Sequence, residues 1–317
     1  MTFEMIKRLY TVLICFIIYS SAVGQSKTVA ITLDDLLVAG ASGYTIEEIE
    51  DVNDRLLGHL DKLDIPVTGF VNEKSLYIKG EIDRRSEVLS AWARRDKLTL
   101  GNHTFSHPSF HDTKLEDFKS EVLKGEIITR MILDEVGKPL RYFRFPFNSA
   151  GSDSTSKASF EKFLEEKGYV IAPMTVESSD YIFNTLYKKA KKEGDKKQMN
   201  KVSQAYLHHT DTLFEFFENM ALETQGRSIP HIFLGHVNEL HADIMPQLVG
   251  LLKKRGYTII SLDEAMKDEV YQQKDPYVGK WGFSWMHRWN VENRIDWLRK
   301  EPEPNQKILE DFKMLNK

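Results

Sequence analysis

Apolar runs and helical periodicities alternate along most of the chain. The stretch TVAITL (28–33) is continuously apolar and β-branched, the pattern of a strand buried on both faces. In TIEEIEDVNDRLLGHLDKL (45–63), Thr45 and Glu48 have capping-box spacing, and Ile46, Ile49, Leu56, Leu60 and Leu63 recur at roughly helical intervals. PVTGFVN (66–72) then predicts a strand, IDRRSEVLSAWARR a helix, and KLTLGNH (97–103) a strand stopping at Gly-Asn. A single long helix is expected over 114–136. YFRFPF (142–147) is a strand broken by Pro146, SFEKFLEEKG a helix and YVIAPMTV (169–176) a strand. HIFLGH (231–236), ADIMPQLVGLLKKRG and YTIISL complete the series as strand, helix and strand.

A repeated strand-then-helix order implies an α/β fold, a mostly parallel sheet with helices outside it, as an open sheet or a barrel. Reactive groups in such folds sit at the carboxyl ends of strands. Chemically versatile residues do cluster there: Asp34 and Asp35 after the first run, His103 and His107 after KLTLGN, Arg144 in YFRFPF, Asp180 after YVIAPMTV, and His236 closing HIFLGH.

Two segments depart from the alternation. Residues 184–228, with YKKAKKEGDKKQMNK, are polar, lysine-rich and helical in pattern, and are expected to be a solvated insertion between two strands. The tail at 266–317 is expected to be a helical extension. Its Trp281, Trp285 and Trp289, at i, i+4 and i+8, would share one helix face and pack on the domain, or else offer a sugar-stacking platform.

Composition adds limits. The chain is 41% hydrophobic and 28% charged, ordinary for a globular protein, and its net charge of -4 argues against a general nucleic-acid affinity. Lys7 and Arg8, the apolar LYTVLICFIIY and the small residues of SSAVGQ form a secretory signal over 1–24, cut after Gly24. The run is short for a span of about 20 residues. A secreted or periplasmic protein without stable membrane association after cleavage is therefore expected, as a monomer. Cys15, the only cysteine, lies in the apolar run after Ile14, so lipidation is not expected there. The mature chain would have neither a disulfide nor a thiolate ligand.

The chemistry-bearing residues form a coherent set. His103 and His107, four apart in a loop before Pro108, can reach one ion, with Asp35 or Asp34 as third ligand. Two histidines and a carboxylate leave positions open for water and substrate. Zinc leads among metals for such nitrogen and oxygen donors, and cobalt, nickel, manganese and iron also suit them. A metal lowers the pKa of a bound water, and the spare aspartate can act as general base. Arg144 can orient that base through a bidentate contact, and His236 can protonate a leaving group. These parts suggest metal-assisted hydrolysis of an amide or ester.

The motifs resemble those of the polysaccharide deacetylases, carbohydrate esterase family four, also called the NodB-homology domain. The similarity runs in order over about residues 28–265, and a catalytic domain at 25–265 is expected. ITLDD (31–35) resembles the first motif, which implies Asp34 as general base and Asp35 as metal ligand. HTFSH (103–107) resembles the second, implying both metal histidines. RFPF (144–147) resembles the third, implying that Arg144 holds the base and that backbone near Phe147 contributes to an oxyanion site. ESSDY (177–181) resembles the fourth, implying that Asp180 tunes the catalytic histidine and Tyr181 borders the substrate. FLGH (233–236) resembles the fifth, implying His236 as general acid. The family fold is a distorted (β/α) barrel of about seven parallel strands with outer helices. Asn148 stands where the third motif usually has glycine, and Tyr181 where the fourth usually has tryptophan.

The expected activity is a secreted metal-dependent deacetylase, acting on N-acetyl or O-acetyl groups of a chitin-like, peptidoglycan or xylan substrate, with cell-wall glycans among the candidates. The alternatives are a same-fold amidohydrolase of a small amide and a non-catalytic carbohydrate-binding relative. HVNELH (236–241) matches neither HExxH nor HxxEH, which disfavours a zinc protease. His59, His208 and His209 are expected to carry no metal, His111 to lie at most behind the ligands, and His241 to begin or cap the next helix.

Overall fold

The computed structural model describes residues 27–315; the expected signal peptide over 1–24, and Cys15 with it, lies outside the described residues. The strands are β1 (Thr28–Leu36), β2 (Val67–Val71), β3 (Leu98–Asn102), β4 (Tyr142–Phe143), β5 (Val170–Ile171), β6 (Val176–Glu177), β7 (His231–His236) and β8 (Thr258–Ile260). The larger helices between them are α1 (Ile46–Leu63), α2 (Ile82–Ala93), α3 (Leu115–Lys124), α4 (Ile127–Glu135), α5 (Ser154–Glu166), α6 (Asp180–Lys192), α7 (Lys196–Gln225) and α8 (Glu239–Lys254).

Every strand pairing is parallel, in the order β5-β4-β3-β2-β1-β7-β6, with β8 pairing the start of β1. The outermost strands of that order, β5 and β6, are successive in the chain. Residues 172–175 join them: the Ala172 amide donates to Phe143 O and the Thr175 amide to Ile232 O. The sheet therefore curls into a distorted (β/α) barrel with the helices outside. This also corrects the single strand expected at 169–176. Pro173 has no amide for a ladder, and its carbonyl instead accepts from Arg144 at 3.1 Å.

Register brings the chemistry together. Pairing of β1 with β7 runs from Val29↔His231 to Asp34↔His236, so two residues 202 positions apart become lateral neighbours. Helix α1 starts where the capping box predicts: Thr45 accepts from the Glu48 amide at 3.3 Å, and Glu48 accepts from the Thr45 amide at 2.9 Å.

The helix expected over 114–136 is two helices, broken at Gly125. A Cβ there would stand 2.5 Å from the Thr104 carbonyl carbon, so the loop carrying His103 and His107 packs directly on the break. Glu73 then caps α4 from outside, accepting from the Ile128 and Thr129 amides at 3.2 and 2.7 Å.

Two further expectations change. The lysine-rich segment is not a solvated excursion. It forms α6 and α7, and Tyr206, Phe214, Phe217 and Met220 of α7 are fully buried. Its lysines cluster at the end of α6 and the start of α7, and the buried aromatic residues lie further along α7. The tryptophans do not share one helix: α10 (Trp285–Trp289) follows α9 (Leu262–Ala265), while Trp281 precedes α10 and is 72% exposed. Trp285 is buried beside Met174 and Leu234, and Trp289 is half-buried near Tyr271. Two more short helices follow, α11 (Arg294–Lys300) and α12 (Gln306–Leu315). Among the described residues no helix is long and apolar enough to cross a membrane.

Candidate active site

The site lies at the carboxyl ends of the strands, around a cavity of about 700 Å³. Asp34, Asp35, His103, His107, Phe147, Tyr181 and His236 all line it. Arg144 and Asp180 do not; both are fully buried, behind Asp34 and His236 respectively.

Asp34 keeps the extended course of β1, whereas Asp35 turns into the left-handed region at φ 63°. This turn separates two adjacent carboxylates. Asp34 is 2% exposed, and its Oδ1 lies 3.2 Å from Arg144 Nη1. Burial pushes the Asp34 carboxyl up to about 6, although Arg144 and His236 pull it down. The contact with Arg144 is not bidentate. Nη1 also donates to Thr32 Oγ1 at 2.9 Å, and Nη2 is turned to the Pro173 carbonyl. Phe143 and Phe145 flank Arg144 within a phenylalanine cluster; strand alternation sends its side chain the other way, where the guanidinium lies 4.5 Å from the Phe70 ring centre.

His103 Nδ1 lies 2.8 Å from the Arg144 carbonyl, which can only accept, so Nδ1 carries the proton and Nε2 keeps its lone pair. Burial, reinforced by the nearby His107, holds the His103 pKa well below its ordinary value. His107 has φ 61° and its amide donates to Thr104 Oγ1 at 3.1 Å. Asp35 Oδ1 lies 3.7 Å from His103 Nε2 and 3.4 Å from His107 Nε2. That oxygen is buried without a hydrogen-bond partner. One ligand atom from each of the three residues falls within 4.8 Å of the others. An orphaned carboxylate oxygen facing two imidazole nitrogens fits a divalent cation.

Across the cavity, Asp180 Oδ1 lies 2.7 Å from His236 Nδ1, and its Oδ2 accepts from the His236 amide and from Asn238 Nδ2 at 2.9 and 2.8 Å. With Nδ1 donating to Asp180, Nε2 is the His236 nitrogen left for the cavity. Burial opposes charge on both groups, but their mutual attraction prevails: the Asp180 carboxyl falls to about 2 and the His236 imidazole rises to about 10.

The geometry adds groups that motif reading passed over. His241 neither starts nor caps α8; the cap is Asn238, whose Oδ1 accepts from the His241 amide at 2.9 Å. The His241 ring is buried, with Nδ1 donating to the His236 carbonyl at 2.8 Å and Nε2 accepting from the Tyr206 hydroxyl at 2.6 Å. The Tyr206 oxygen also lies 2.9 Å from Ser178 Oγ. Tyr206 comes from the lysine-rich segment, and its apolar surroundings were the available signal. Gly282 of the C-terminal extension lines the cavity too. His111, His208 and His209 stay outside the cavity wall; His111 Nδ1 lies 3.1 Å from the Gly151 carbonyl, and the buried His209 stacks on Phe183.

Residues 22–169 match the family model described as polysaccharide deacetylase. The match marks a polysaccharide deacetylase domain over those residues. No curated protein matches the chain significantly. Among solved structures, the chain is similar to a pseudoenzyme of carbohydrate esterase family four from Bacillus anthracis, at 17% identity and TM-score 0.50, covering 77% of this chain and 66% of that one. A mutant form of that pseudoenzyme gives 18% identity, TM-score 0.50 and coverages of 77% and 68%. A family 4 carbohydrate esterase from Streptomyces lividans, in complex with acetate, gives 16%, TM-score 0.46 and coverages of 75% and 95%. At these identities the likeness is one of fold. A shared fold does not by itself carry catalysis, and what this chain does rests on its side chains.

Proposed function

We propose that this protein is a secreted, divalent-metal-dependent deacetylase that hydrolyses N-acetyl or O-acetyl groups of a polysaccharide or oligosaccharide. The observation that carries the reading is the buried, unpartnered Asp35 Oδ1 beside His103 and His107, with two separately tuned proton carriers facing the same cavity. Asp35, His103 and His107 would hold the metal, with zinc favoured by two nitrogen donors and one oxygen. When bound, the ion supplies polarisation of water and of the acetyl carbonyl.

Asp34 takes the proton of the attacking water, and Arg144 keeps its carboxylate ionised and oriented. A backbone amide near Phe147 donates to the developing oxyanion. His236, charged and oriented by Asp180, donates its proton to the leaving sugar nitrogen or oxygen. Phe147 and Tyr181, 59% and 55% exposed, flank the bound sugar.

The test is acetate release from chitin-like, peptidoglycan and acetylated xylan oligomers. Release should occur from at least one, stop on chelation and return with zinc or cobalt. A chain that releases nothing from any of them with metal supplied overturns the reading.

A further inference from the structure

The C-terminal segment 275–288 lies beyond the residues that match the family model, yet it touches the cavity wall at several points. Arg288 is fully buried, a costly place for a guanidinium unless every arm is engaged. Its Nη2 donates to the Asn148 carbonyl, Nη1 meets Asp275 Oδ2 at 3.1 Å and Nε donates to the Phe283 carbonyl at 3.1 Å. Its flat face covers Trp285, 3.8 Å from the ring centre. Asp275 is held in turn by Lys157, at 3.1 Å.

The loop that Arg288 grips is strained. Phe147 and Asn148 both lie in the left-handed region, at φ 55° and 47°, which non-glycine residues rarely occupy in succession. Such a loop persists only when its surroundings determine it. Gly282 supplies a second restraint, because a Cβ there would overlap the Phe147 carbonyl oxygen. A third is the Ala150 amide, which donates to the Gly279 carbonyl at 2.9 Å. The Phe147 ring in turn packs edge-on against His107, 4.4 Å between centres.

We propose that segment 275–288 is a strap that holds the Phe147–Asn148 loop in its working conformation, with Arg288 as the positioning residue and Gly282 as the close-approach point. This inference rests on the deacetylase reading for its consequence, but not for its geometry. Arg288 does not touch substrate in this scheme; it places the amides and the aromatic ring that do.

The experiment compares R288K, R288M and G282A with V291A, an exposed control in the same extension. Amide hydrogen exchange over residues 145–150 reads the loop without metal or substrate. It should speed up in R288M and G282A, less in R288K, and remain unchanged in V291A. On the substrate found active, kcat should fall about tenfold or more in R288M and G282A, in keeping with the sensitivity of catalysis to small misplacements. KM should change less than kcat, and R288K should recover part of the loss. If the wild type releases no acetate from any glycan, the deacetylase reading fails while exchange still decides the strap. Unchanged exchange in folded R288M and G282A overturns the proposal. So does faster exchange with kcat intact in an active enzyme.

Discussion

At the scale of single residues, two adjacent aspartates are separated by one backbone turn. Asp34 continues β1 into contact with Arg144, whereas Asp35 at φ 63° swings toward the histidines. Under the proposed roles, D34N should retain its metal while kcat falls by about 10²–10⁴, the usual contribution of a general base. D35A or H103A should instead lose the metal first, measured by metal content after gel filtration. The pH dependence follows from the same groups. Asp34 must be ionised, so activity should rise with pH on an acid limb near or below about 6, a bound cation moving it lower. His236 must be protonated, and Asp180 raises its pKa to about 10, so the alkaline limb should be late. D180N removes that carboxylate charge and should move the alkaline limb to lower pH, with the acid limb nearly unchanged. An unmoved alkaline limb in D180N would rule out His236 as the acid under Asp180 control.

At the scale of elements, the breaks matter more than the helices and strands themselves. The long helix expected at 114–136 breaks at Gly125 because the His103–His107 loop occupies the space that a side chain would need. G125A should destabilise the fold by about 1–3 kcal/mol, the range for overpacking, and lower metal affinity as well. Thermal unfolding and metal titration on the same sample would check both. The strand expected at 169–176 breaks at Pro173, and the freed carbonyl orients Arg144. Asn148, where the family motif usually has glycine, adopts φ 47°, and asparagine is among the side chains most tolerant of that region. Each irregularity lies next to a residue of the site.

At the scale of the whole molecule, the C-terminal extension belongs to the body of the protein. Tyr271, Trp285, Met286 and Trp297 are buried against it, and His287 stands between Phe217 and Phe283. Burial of one large apolar side chain contributes about 1.5–3 kcal/mol. Four of them together rival a typical stability of about 5–15 kcal/mol. A chain ending at residue 265 should therefore lose its cooperative thermal transition, measured by calorimetry. A sharp transition near the full-length Tm would show that the extension is dispensable.

The sequence by itself determined the strand and helix order, the parallel sheet and the set of groups at the strand ends. These follow from local periodicity and from the rule that parallel sheets present their carboxyl ends to ligands, neither of which needs long-range information. It also determined the start of α1, because a capping box is complete within four residues. Only the tertiary structure decided what local pattern cannot encode. Helix α7 turned inward because its aromatic face met β7 and α8, though its lysines had marked it as solvated. His241 and Tyr206 joined the Asp180–His236 pair through packing of segments 35 residues apart. Arg288 reached the Phe147–Asn148 loop from 140 residues away. Such contacts depend on where the barrel's curl brings distant segments, and no local window of the sequence contains that information.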